Sequence, residues 1–594
     1  MELERTPAEQ GAAPESTPGG FAAKPAFAGE DEPSAIVGGE PAQAGLPRPS
    51  DLGVASADAS SRDFNRQGGD SSGHRRLVAS AGFIMVGNLL SSLLGMVRLQ
   101  VLNGLFGQGA ETGAFFAALR IPQQFYDLLV GGAISGALIP TFVDYSAPEK
   151  RRELWRIFST IITLVALLTG LVAGLLILFA PLYLPALIQF TDSSTYDLTL
   201  ALTRLVLPSV LILGLFAVGA AMLYALRSVI FASWASGLYH VGIILGAAVG
   251  VMLLGQHYGI YGAAVGVLLG ALGEIALIGV GLARQGARYR PTLDLKHPAV
   301  RQIARLYAPV MLGLVVSVIG QQIDLRLATG TGEANVGALA SANALVQFPV
   351  GLVAAALSFA ILPALTSHTN DGNTDEFKRT LRLGIKLGLL LMIPAMVGLA
   401  VLRQPVVAVI LRHGAFNAAA VDRTSLALLN YSYQLPFLVL DQLLIAAFYA
   451  RKNTRVPVLI GILGWGFYLA IALPLVGSVG MPALAFANTF QNSMHALILL
   501  VLLRRAIGPL AGEGLLGALG KICLAAAIMG ALCWLLLHLV SPLPLFGLDH
   551  LTGQLLTVAV TAGAGTLAYL ALIRLFGLEE MRLLVSIIRR RLGR

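Results

Sequence analysis

The sequence has few charged residues. Only 12% of its 594 residues are charged and 56% are hydrophobic, whereas a soluble globular domain carries about 25% charged residues. This shortage excludes a chain that faces water over most of its surface. Many apolar runs exceed the roughly 18 residues that mark a membrane-spanning helix. The composition therefore predicts an all-α polytopic membrane protein.

Cysteine is also scarce, with Cys523 and Cys533 as the only two in the chain. Both lie in one apolar run, and ten residues along a helix span about 15 Å, which is too far for a disulfide. No spacing of Cys and His typical of a metal site occurs. The two cysteines are therefore predicted to be packing residues, and no metal is expected.

The chain lacks the signatures of an enzyme. It has no glycine-rich ATP motif of the form GxxxxGK[ST]. Its loops are short, whereas an integral-membrane glycosyltransferase needs acidic residues on a sizeable loop or domain. We therefore predict a protein that is not an enzyme, with no catalytic residues. We expect no cofactor beyond a coupling monovalent cation or proton.

Residues 1–73 lack the apolar periodicity of the rest. They are rich in Pro, Gly, Ala and Ser and hold 12 acidic and 5 basic residues. Such a segment cannot bury enough surface to offset its chain entropy, so a disordered cytoplasmic tail is predicted. It does not begin with a basic stretch followed by an apolar core, which is the pattern of a secretory signal.

Fourteen apolar segments follow the tail. They span approximately 77–105, 112–144, 155–181, 198–226, 234–255, 259–283, 301–328, 334–366, 379–402, 422–450, 456–476, 479–503, 517–540 and 553–576. Connections rich in Lys and Arg alternate with connections that lack them, apart from one that holds Arg403, Arg412 and Arg423. Basic loops stay cytoplasmic. Because the number of segments is even, both termini are then predicted to be cytoplasmic. The basic excess thus indicates orientation and contact with anionic membrane lipids, and no nucleic acid partner is expected. Prolines inside segments, such as Pro208 and Pro436, are predicted to bend them.

One stretch of sequence occurs twice. QFYDLLVGGAISGALIP (124–140) recurs as QFPVGLVAAALSFAILP (347–363), with eight identities at a constant offset of 223. The second segment is thus repeated as the eighth, which predicts two six-helix lobes of the same orientation, 77–284 and 301–504. An extra helix pair (517–576) and an amphipathic basic segment (578–594) follow. Parallel repeats are typical of transporters with a substrate site between the halves.

Four stretches resemble the MurJ/MviN family, the lipid II flippases of the MATE-like multidrug/oligosaccharidyl-lipid/polysaccharide exporter superfamily. They are LGMVRLQVLNGLFGQGAETGAFFAALRIPQ (94–123), QFPVGLVAAALSFAILPALT (347–366), LRHGAFNAAAVDRTSLALLNYS (411–432) and FYARKNTRVPV (448–458). The resemblance covers about residues 75–580. It implies a multi-pass protein of the bacterial inner membrane that moves the peptidoglycan precursor lipid II, a polyprenyl-pyrophosphate-linked glycolipid, to the outer leaflet by alternating access. The cell-wall synthesis machinery is a candidate protein partner.

Alternative functions stay open, because this sequence lacks most of the charged residues that the family places in its cavity. The alternatives are a flippase for another polyprenyl-pyrophosphate-linked oligosaccharide, a MATE-type exporter of small molecules and a scaffold that transports nothing. Arg98 is the only residue of this sequence that matches one of the family's cavity arginines. The other arginine positions fall at Ser92, Tyr126 and Ala344, and the family's acidic positions fall at Gly113 and Leu99.

Five of the ionisable side chains inside apolar segments are candidate site residues, because a charge there usually faces a cavity or a partner. Arg98 and Arg120 are predicted to face a central cavity and bind phosphate oxygens, for which guanidinium groups are well shaped. Asp127, on about the same helix face as Arg120, is predicted to neutralise them in the empty site. Asp324 and Asp441 are predicted to bind a coupling ion. The alternative for each is a structural ion pair or a side chain that extends to the membrane surface.

Overall fold

The structure is a computed structural model that describes residues 71–128, 137–190, 192–510 and 514–578. Nearly all of the predicted tail (1–73) and of the predicted amphipathic basic segment (578–594) lies outside these residues. Within the described ranges every regular element is helical. Ten of these helices are long and apolar enough to cross a membrane, or eleven if one bent pair counts as a single span. The prediction of an all-α polytopic membrane protein is confirmed.

The α-helices are numbered here in chain order. They are α1 (Ser71–Phe106), α2 (Ala110–Leu128), α3 (Ile139–Asp144), α4 (Arg151–Leu178), α5 (Ala180–Leu187), α6 (Ser193–Val206), α7 (Ser209–Ala225), α8 (Val229–Arg284), α9 (Pro298–Gly330), α10 (Glu333–Asn370), α11 (Thr374–Val401), α12 (Arg403–Leu411), α13 (Ala418–Ser432), α14 (Leu435–Ala450), α15 (Arg455–Val479), α16 (Met481–Ile507), α17 (Leu515–Val540) and α18 (Leu551–Leu575).

The predicted segments coincide with these helices, but several segments are broken. The fourth segment divides into α6 and α7 next to Pro208. The tenth divides into α13 and α14, which meet at a 45° bend just before Pro436. Proline breaks a helix because it lacks a backbone N–H and its ring clashes with the preceding turn. The two breaks lie at the prolines that were predicted to bend these segments.

Glycines allow the two halves of α8 to pack backbone against backbone. The helix reverses direction at Gly255, whose φ is 76°, a conformation that glycine adopts without steric cost. A Cβ atom at Gly246 would lie 2.3 Å from the Gly262 carbonyl oxygen, and one at Gly242 would lie 2.4 Å from the Gly270 Cα. Since carbon atoms normally approach to only about 3.5 Å, this contact requires glycine. Close approach of this kind is how helices associate in lipid, where hydrophobic expulsion does not act.

The last two helices, α17 and α18, pack on α11. Buried side chains from all three form one apolar cluster that includes Ile393, Ile522 and Tyr569. The Tyr569 hydroxyl donates a 2.7 Å hydrogen bond to the Leu390 carbonyl oxygen on α11. Pro394 lies four residues after Leu390 inside α11 and has no N–H to offer that carbonyl. The tyrosine thus replaces the missing helical hydrogen bond, as neighbouring helices commonly do around prolines in membranes.

Candidate functional site

The contact between α2 and α9 joins the two predicted lobes through polar side chains. Arg120 of α2 places Nη2 3.5 Å from Oδ2 of Asp324 on α9. One helical turn along α2, Gln124 accepts a hydrogen bond from Gln322 of α9. Residue numbers rise along α2 as they fall along α9, so the helices run antiparallel. Residues four apart on α2 share one helix face, and this face meets the polar face of α9.

Asp324 also contacts a third helix. The hydroxyl of Tyr468 on α15 donates a hydrogen bond to Oδ1 of Asp324, while Oδ2 faces Arg120. Close packing of α9 on α15 makes this possible, because a Cβ atom at Gly320 would overlap the Trp465 ring. Both carboxylate oxygens of Asp324 are therefore engaged by donors. In this structure Asp324 is the counter-ion of Arg120. A coupling cation would have to compete with Tyr468 for Oδ1 or with Arg120 for Oδ2.

Asp127, which the sequence analysis predicts to neutralise the arginines, is not the ion-pair partner of Arg120 in this structure. Its side chain is exposed and accepts a 3.1 Å hydrogen bond from Gln123 Nε2. Asp127 lies seven residues beyond Arg120, and two helical turns separate the two by about 10 Å along α2. Asp324 approaches Arg120 from a neighbouring helix at the same level, so it becomes the ion-pair partner.

Arg98 lies in a different environment, on α1 against α8. One turn before it, a Cβ atom at Gly95 would lie 3.4 Å from Nε2 of His240 on α8. Arg98 Nε, His240 Nδ1 and Glu274 Oε2 are among the buried polar atoms of this lobe that have no hydrogen-bond partner in the described residues. Unpaired polar atoms are costly to bury. Arg98 is therefore a cation with donor capacity left over, and the structure brings it together with α8 and not with the Arg120–Asp324 pair.

Asp441 lies in the second lobe and pairs with a residue that the sequence analysis did not single out. Its Oδ1 is 2.6 Å from Nδ1 of His495, and Nε2 of that imidazole is 3.2 Å from the Pro457 carbonyl oxygen. The three residues belong to α14, α16 and α15, respectively. His495 is an ionisable side chain inside an apolar segment, so the rule that selected Asp441 could also have selected His495.

The lobes meet closely at the end of the bundle opposite the Lys- and Arg-rich connections, and the connection with Arg403, Arg412 and Arg423 takes part in this contact. The Ala415 amide donates a 2.8 Å hydrogen bond to the Gly104 carbonyl oxygen. Gln108 Nε2 donates to Thr424 Oγ1 at 2.6 Å. A Cβ atom at Gly113 would lie 2.6 Å from the Glu333 carbonyl oxygen. Backbone from the first lobe thus touches backbone from the second, which closes this end of the interface.

Residues 102–548 match the family described as lipid II flippase MurJ. The chain belongs to the MurJ family. It is 30% identical over 522 residues to a protein of Vibrio cholerae named probable lipid II flippase MurJ, which covers 85% of this chain and 97% of that protein. It is 27% identical over 521 residues to the protein of the same name from Bdellovibrio bacteriovorus, with 85% and 96% covered.

Solved structures support the same fold. The structure described as lipid II flippase MurJ, inward closed conformation, aligns with a TM-score of 0.69 at 22% identity, covering 86% of this chain and 99% of that one. A multidrug resistance MATE family transporter, described as inward-facing, aligns with a TM-score of 0.57 at 16% identity, covering 72% of this chain and 98% of that one. The expected relation to MATE-like transporters is confirmed at the level of the fold.

Positions that the resemblance assigns to MurJ cavity charges hold packing residues in this chain. Tyr126 stacks on Phe216, with ring centroids 6.2 Å apart. Ala344 packs against the main apolar cluster of the second lobe. Gly113 lies where no side chain fits against Glu333. Of the two arginines predicted to face the cavity, Arg98 therefore matches the MurJ pattern, and Arg120 lies outside it.

Proposed function

We propose that this chain is a flippase that carries lipid II from the inner to the outer leaflet of the bacterial inner membrane by alternating access. It acts as a transporter and not as an enzyme. Family membership supports this, since relatives named as lipid II flippases align over nearly their whole length. The substrate's polyprenyl tail stays in membrane lipid, and its diphosphate and sugars pass between the lobes. The cell-wall synthesis machinery would consume the product.

The Arg120–Asp324 pair is the observation that carries this proposal. Arg120 lies at the contact between the two lobes, and its side chain is 41% exposed while that of Asp324 is 26% exposed. An exposed ion pair contributes little, about 0–1 kcal/mol, so the pair exchanges easily. A diphosphate offers two charges and paired oxygens that suit the fork of a guanidinium group. Asp324 therefore holds Arg120 in the empty site and gives it up to substrate.

Arg98 is proposed as a second substrate-binding cation, although in this conformation it lies against α8 and outside the Arg120–Asp324 pair. Its buried Nε has no partner among the described residues, which suits a group that binds an anion in another state of the transport cycle. Asp127 is exposed two turns beyond Arg120 on α2 and would offset the positive charge of the arginines in the empty site. No cofactor is needed beyond a coupling monovalent cation or proton, for which Asp441 is the better placed of the two predicted acids.

The arrangement of basic loops supports the proposed orientation of the protein in the membrane. Under the positive-inside rule, the end of the bundle with Lys- and Arg-rich connections is cytoplasmic, and so are both termini. The closed end, where Ala415 bonds to Gly104, then faces outward. This conformation would receive lipid II from the cytoplasmic leaflet. Rocking of the lobes would have to break the contact at Gly104 before the substrate could leave.

Flipping by purified protein in liposomes tests the proposal. Fluorescent lipid II is incorporated, and its arrival in the opposite leaflet is followed with a membrane-impermeant quencher. Hydrogen bonds to charged groups contribute about 1.5–3 kcal/mol, so Arg120→Gln or Arg98→Gln should slow transport by about 10- to 100-fold. The control is Arg156→Gln, which removes an ion pair to Asp294 (2.9 Å) in a side chain that is 63% exposed.

Two results would overturn parts of the proposal. A correctly inserted wild-type protein that leaves lipid II in its original leaflet would remove the function. Wild-type rates in both Arg98→Gln and Arg120→Gln would remove these residues from the site.

A second candidate substrate is another polyprenyl-pyrophosphate-linked oligosaccharide. It is favoured by Ser92, Tyr126 and Ala344, which occupy positions where the resemblance assigns arginines. Fewer positive charges suit a head group with fewer anionic substituents. Competition between lipid II and a diphosphate-linked glycan without a peptide distinguishes the two, because the preferred substrate should inhibit flipping of the other at the lower concentration.

A further inference from the structure

We infer that His495 and Asp441 form a proton-binding site that fastens α15 to α14 and α16 when it is loaded. The site deepens the proposed function by adding a control on the helix that contacts Asp324. Only this coupling to transport rests on the proposed function. Proton binding itself follows from the geometry of the imidazole ring.

The His495 ring lies between two hydrogen-bond acceptors. Nδ1 faces the Asp441 carboxylate at 2.6 Å and Nε2 faces the Pro457 carbonyl oxygen at 3.2 Å. A backbone carbonyl can only accept, and an ionised carboxylate can only accept. Both contacts are hydrogen bonds only if both ring nitrogens carry a proton. The arrangement is therefore complete when one proton is bound to the pair.

Removal of that proton breaks one of the two contacts. If the remaining ring proton stays on Nδ1, the lone pair of Nε2 faces the lone pairs of the Pro457 oxygen. If it moves to Nε2, the lone pair of Nδ1 faces the carboxylate. Each alternative sets two acceptors against each other in a partly buried site, where an unmade hydrogen bond is costly. The proton leaves to water, and no other bond changes.

The His495–Asp441 pair is largely shielded from water. The His495 and Asp441 side chains are 12% and 18% exposed, so water has limited access. Tyr449, two turns further along α14, is a neighbouring titratable side chain, and α15 contributes the Pro457 carbonyl to the site. One turn earlier on α16, Asn492 Nδ2 donates to Gln434 Oε1 at 2.6 Å, which is a neutral contact. Within the described residues, the ion-pair partner of Asp441 is His495.

Helix α15 connects this pair to the proposed substrate site. Pro457 lies near the start of α15, and Tyr468 lies three helical turns later, about 16 Å along the axis. Tyr468 donates to Asp324, the counter-ion of Arg120. The negative carboxylate of Asp441 favours keeping the remaining ring proton on Nδ1, so loss of the other proton removes the hydrogen bond from Nε2 to Pro457 and releases the start of α15 from His495. A rigid helix transmits that release to Tyr468, so Arg120 exchanges Asp324 for substrate more easily.

Nitrogen NMR of the full-length protein in micelles, labelled with 15N-histidine, tests proton binding without any substrate. The His495 signal is assigned by its loss in His495→Gln. In the wild type near neutral pH we expect both ring nitrogens at imidazolium shifts, and in Asp441→Asn we expect a neutral ring. His368→Gln, in the last turn of α10 and outside the His495–Asp441 pair, is the control and should leave the His495 signal in place. A neutral His495 ring in the wild type, or an unchanged imidazolium in Asp441→Asn, would overturn the inference.

Transport under an imposed pH gradient tests the coupling. We expect the flipping rate of the wild type to change about tenfold with the gradient, and the rate of His495→Gln to be insensitive to it. His495→Lys, which keeps a fixed charge, guards against misfolding of the glutamine variant and should also be insensitive. A full response in both variants would overturn the coupling. Absence of any wild-type flipping would overturn the proposed function and the coupling together, while the NMR result still decides the proton site.

Discussion

The hydrogen bond from Tyr569 to Leu390 makes a prediction about how the last two helices are held. The hydroxyl of Tyr569, which is 6% exposed, donates to the carbonyl of Leu390, which is 2% exposed. Tyr569→Phe removes the donor and keeps the ring, so packing is preserved. The carbonyl then lacks any donor, because Pro394 cannot supply one.

The expected cost follows from two competing magnitudes. A hydrogen bond between membrane helices contributes about 0.6 kcal/mol on average and up to about 1.7 kcal/mol, because the carbonyl usually finds another partner when the bond is lost. An unsatisfied buried acceptor costs about 1–3 kcal/mol. Here the helical partner is absent, so the second effect dominates. We expect Tyr569→Phe to lower the free energy of unfolding by about 1.5 kcal/mol.

A double-mutant cycle with Pro394→Ala isolates this term. Alanine restores an N–H at position 394, and α11 can then satisfy the Leu390 carbonyl by itself. In that background Tyr569→Phe should cost about 0.5 kcal/mol or less. Thermal unfolding in detergent, followed by tryptophan fluorescence, gives the ranking of the four proteins. Tyr258→Phe, at a side chain that is 59% exposed, is the control and should unfold with the wild type. Equal effects of Tyr569→Phe with Pro394 and with alanine would refute the reasoning.

Two further predictions concern helix contacts. Gly246→Ala should lower the unfolding temperature, because its Cβ would lie 2.3 Å from a carbonyl oxygen and overpacking costs about 1–3 kcal/mol. The control is Gly279→Ala on the same helix, where a Cβ would have nothing within 4 Å, so the unfolding temperature should stay equal or rise. A lower unfolding temperature for both variants would contradict this prediction. Asp324→Asn should tighten binding of the lipid II head group about fivefold by freeing Arg120, as measured by quenching of the labelled lipid. The same substitution should have no effect on binding in the Arg120→Gln background. An equal gain in both backgrounds would mean that Asp324 repels the head group directly and does not act through the ion pair.

Much of the fold is predictable from the sequence because hydrocarbon imposes simple rules. An apolar run must be long enough to span, and its backbone must satisfy itself as a helix. Breaks at Pro208 and Pro436 follow equally directly, because they depend on one residue and its neighbours. The reversal at Gly255 is local as well. Such features are fixed within a few residues and need no knowledge of how helices dock.

The partners in the candidate site could not be predicted in this way. Arg120 and Asp324 are about two hundred residues apart in the chain, and they meet because α2 and α9 dock antiparallel at one register. Sequence spacing instead offered Asp127, which shares a helix face with Arg120 but lies two turns away. For Asp441 the partner was within reach, because His495 is itself an ionisable residue in an apolar segment. Local rules find charges inside the membrane, and docking decides which charges meet.

The weakness of the Arg120–Asp324 pair is what suits it to a carrier. At 3.5 Å, two unit charges attract by about 1 kcal/mol in water and about 5 kcal/mol at an effective dielectric constant of 20. The exposed fractions of both side chains favour the lower figure, and holding them in place costs entropy. A fully buried pair at this position would bind Arg120 too tightly for a diphosphate to displace. An unpaired Arg120 would bind any anion and hold its substrate after the lobes had reopened. Under the proposed mechanism, partial exposure of Asp324 would let Arg120 both capture and release the head group across a small free-energy difference.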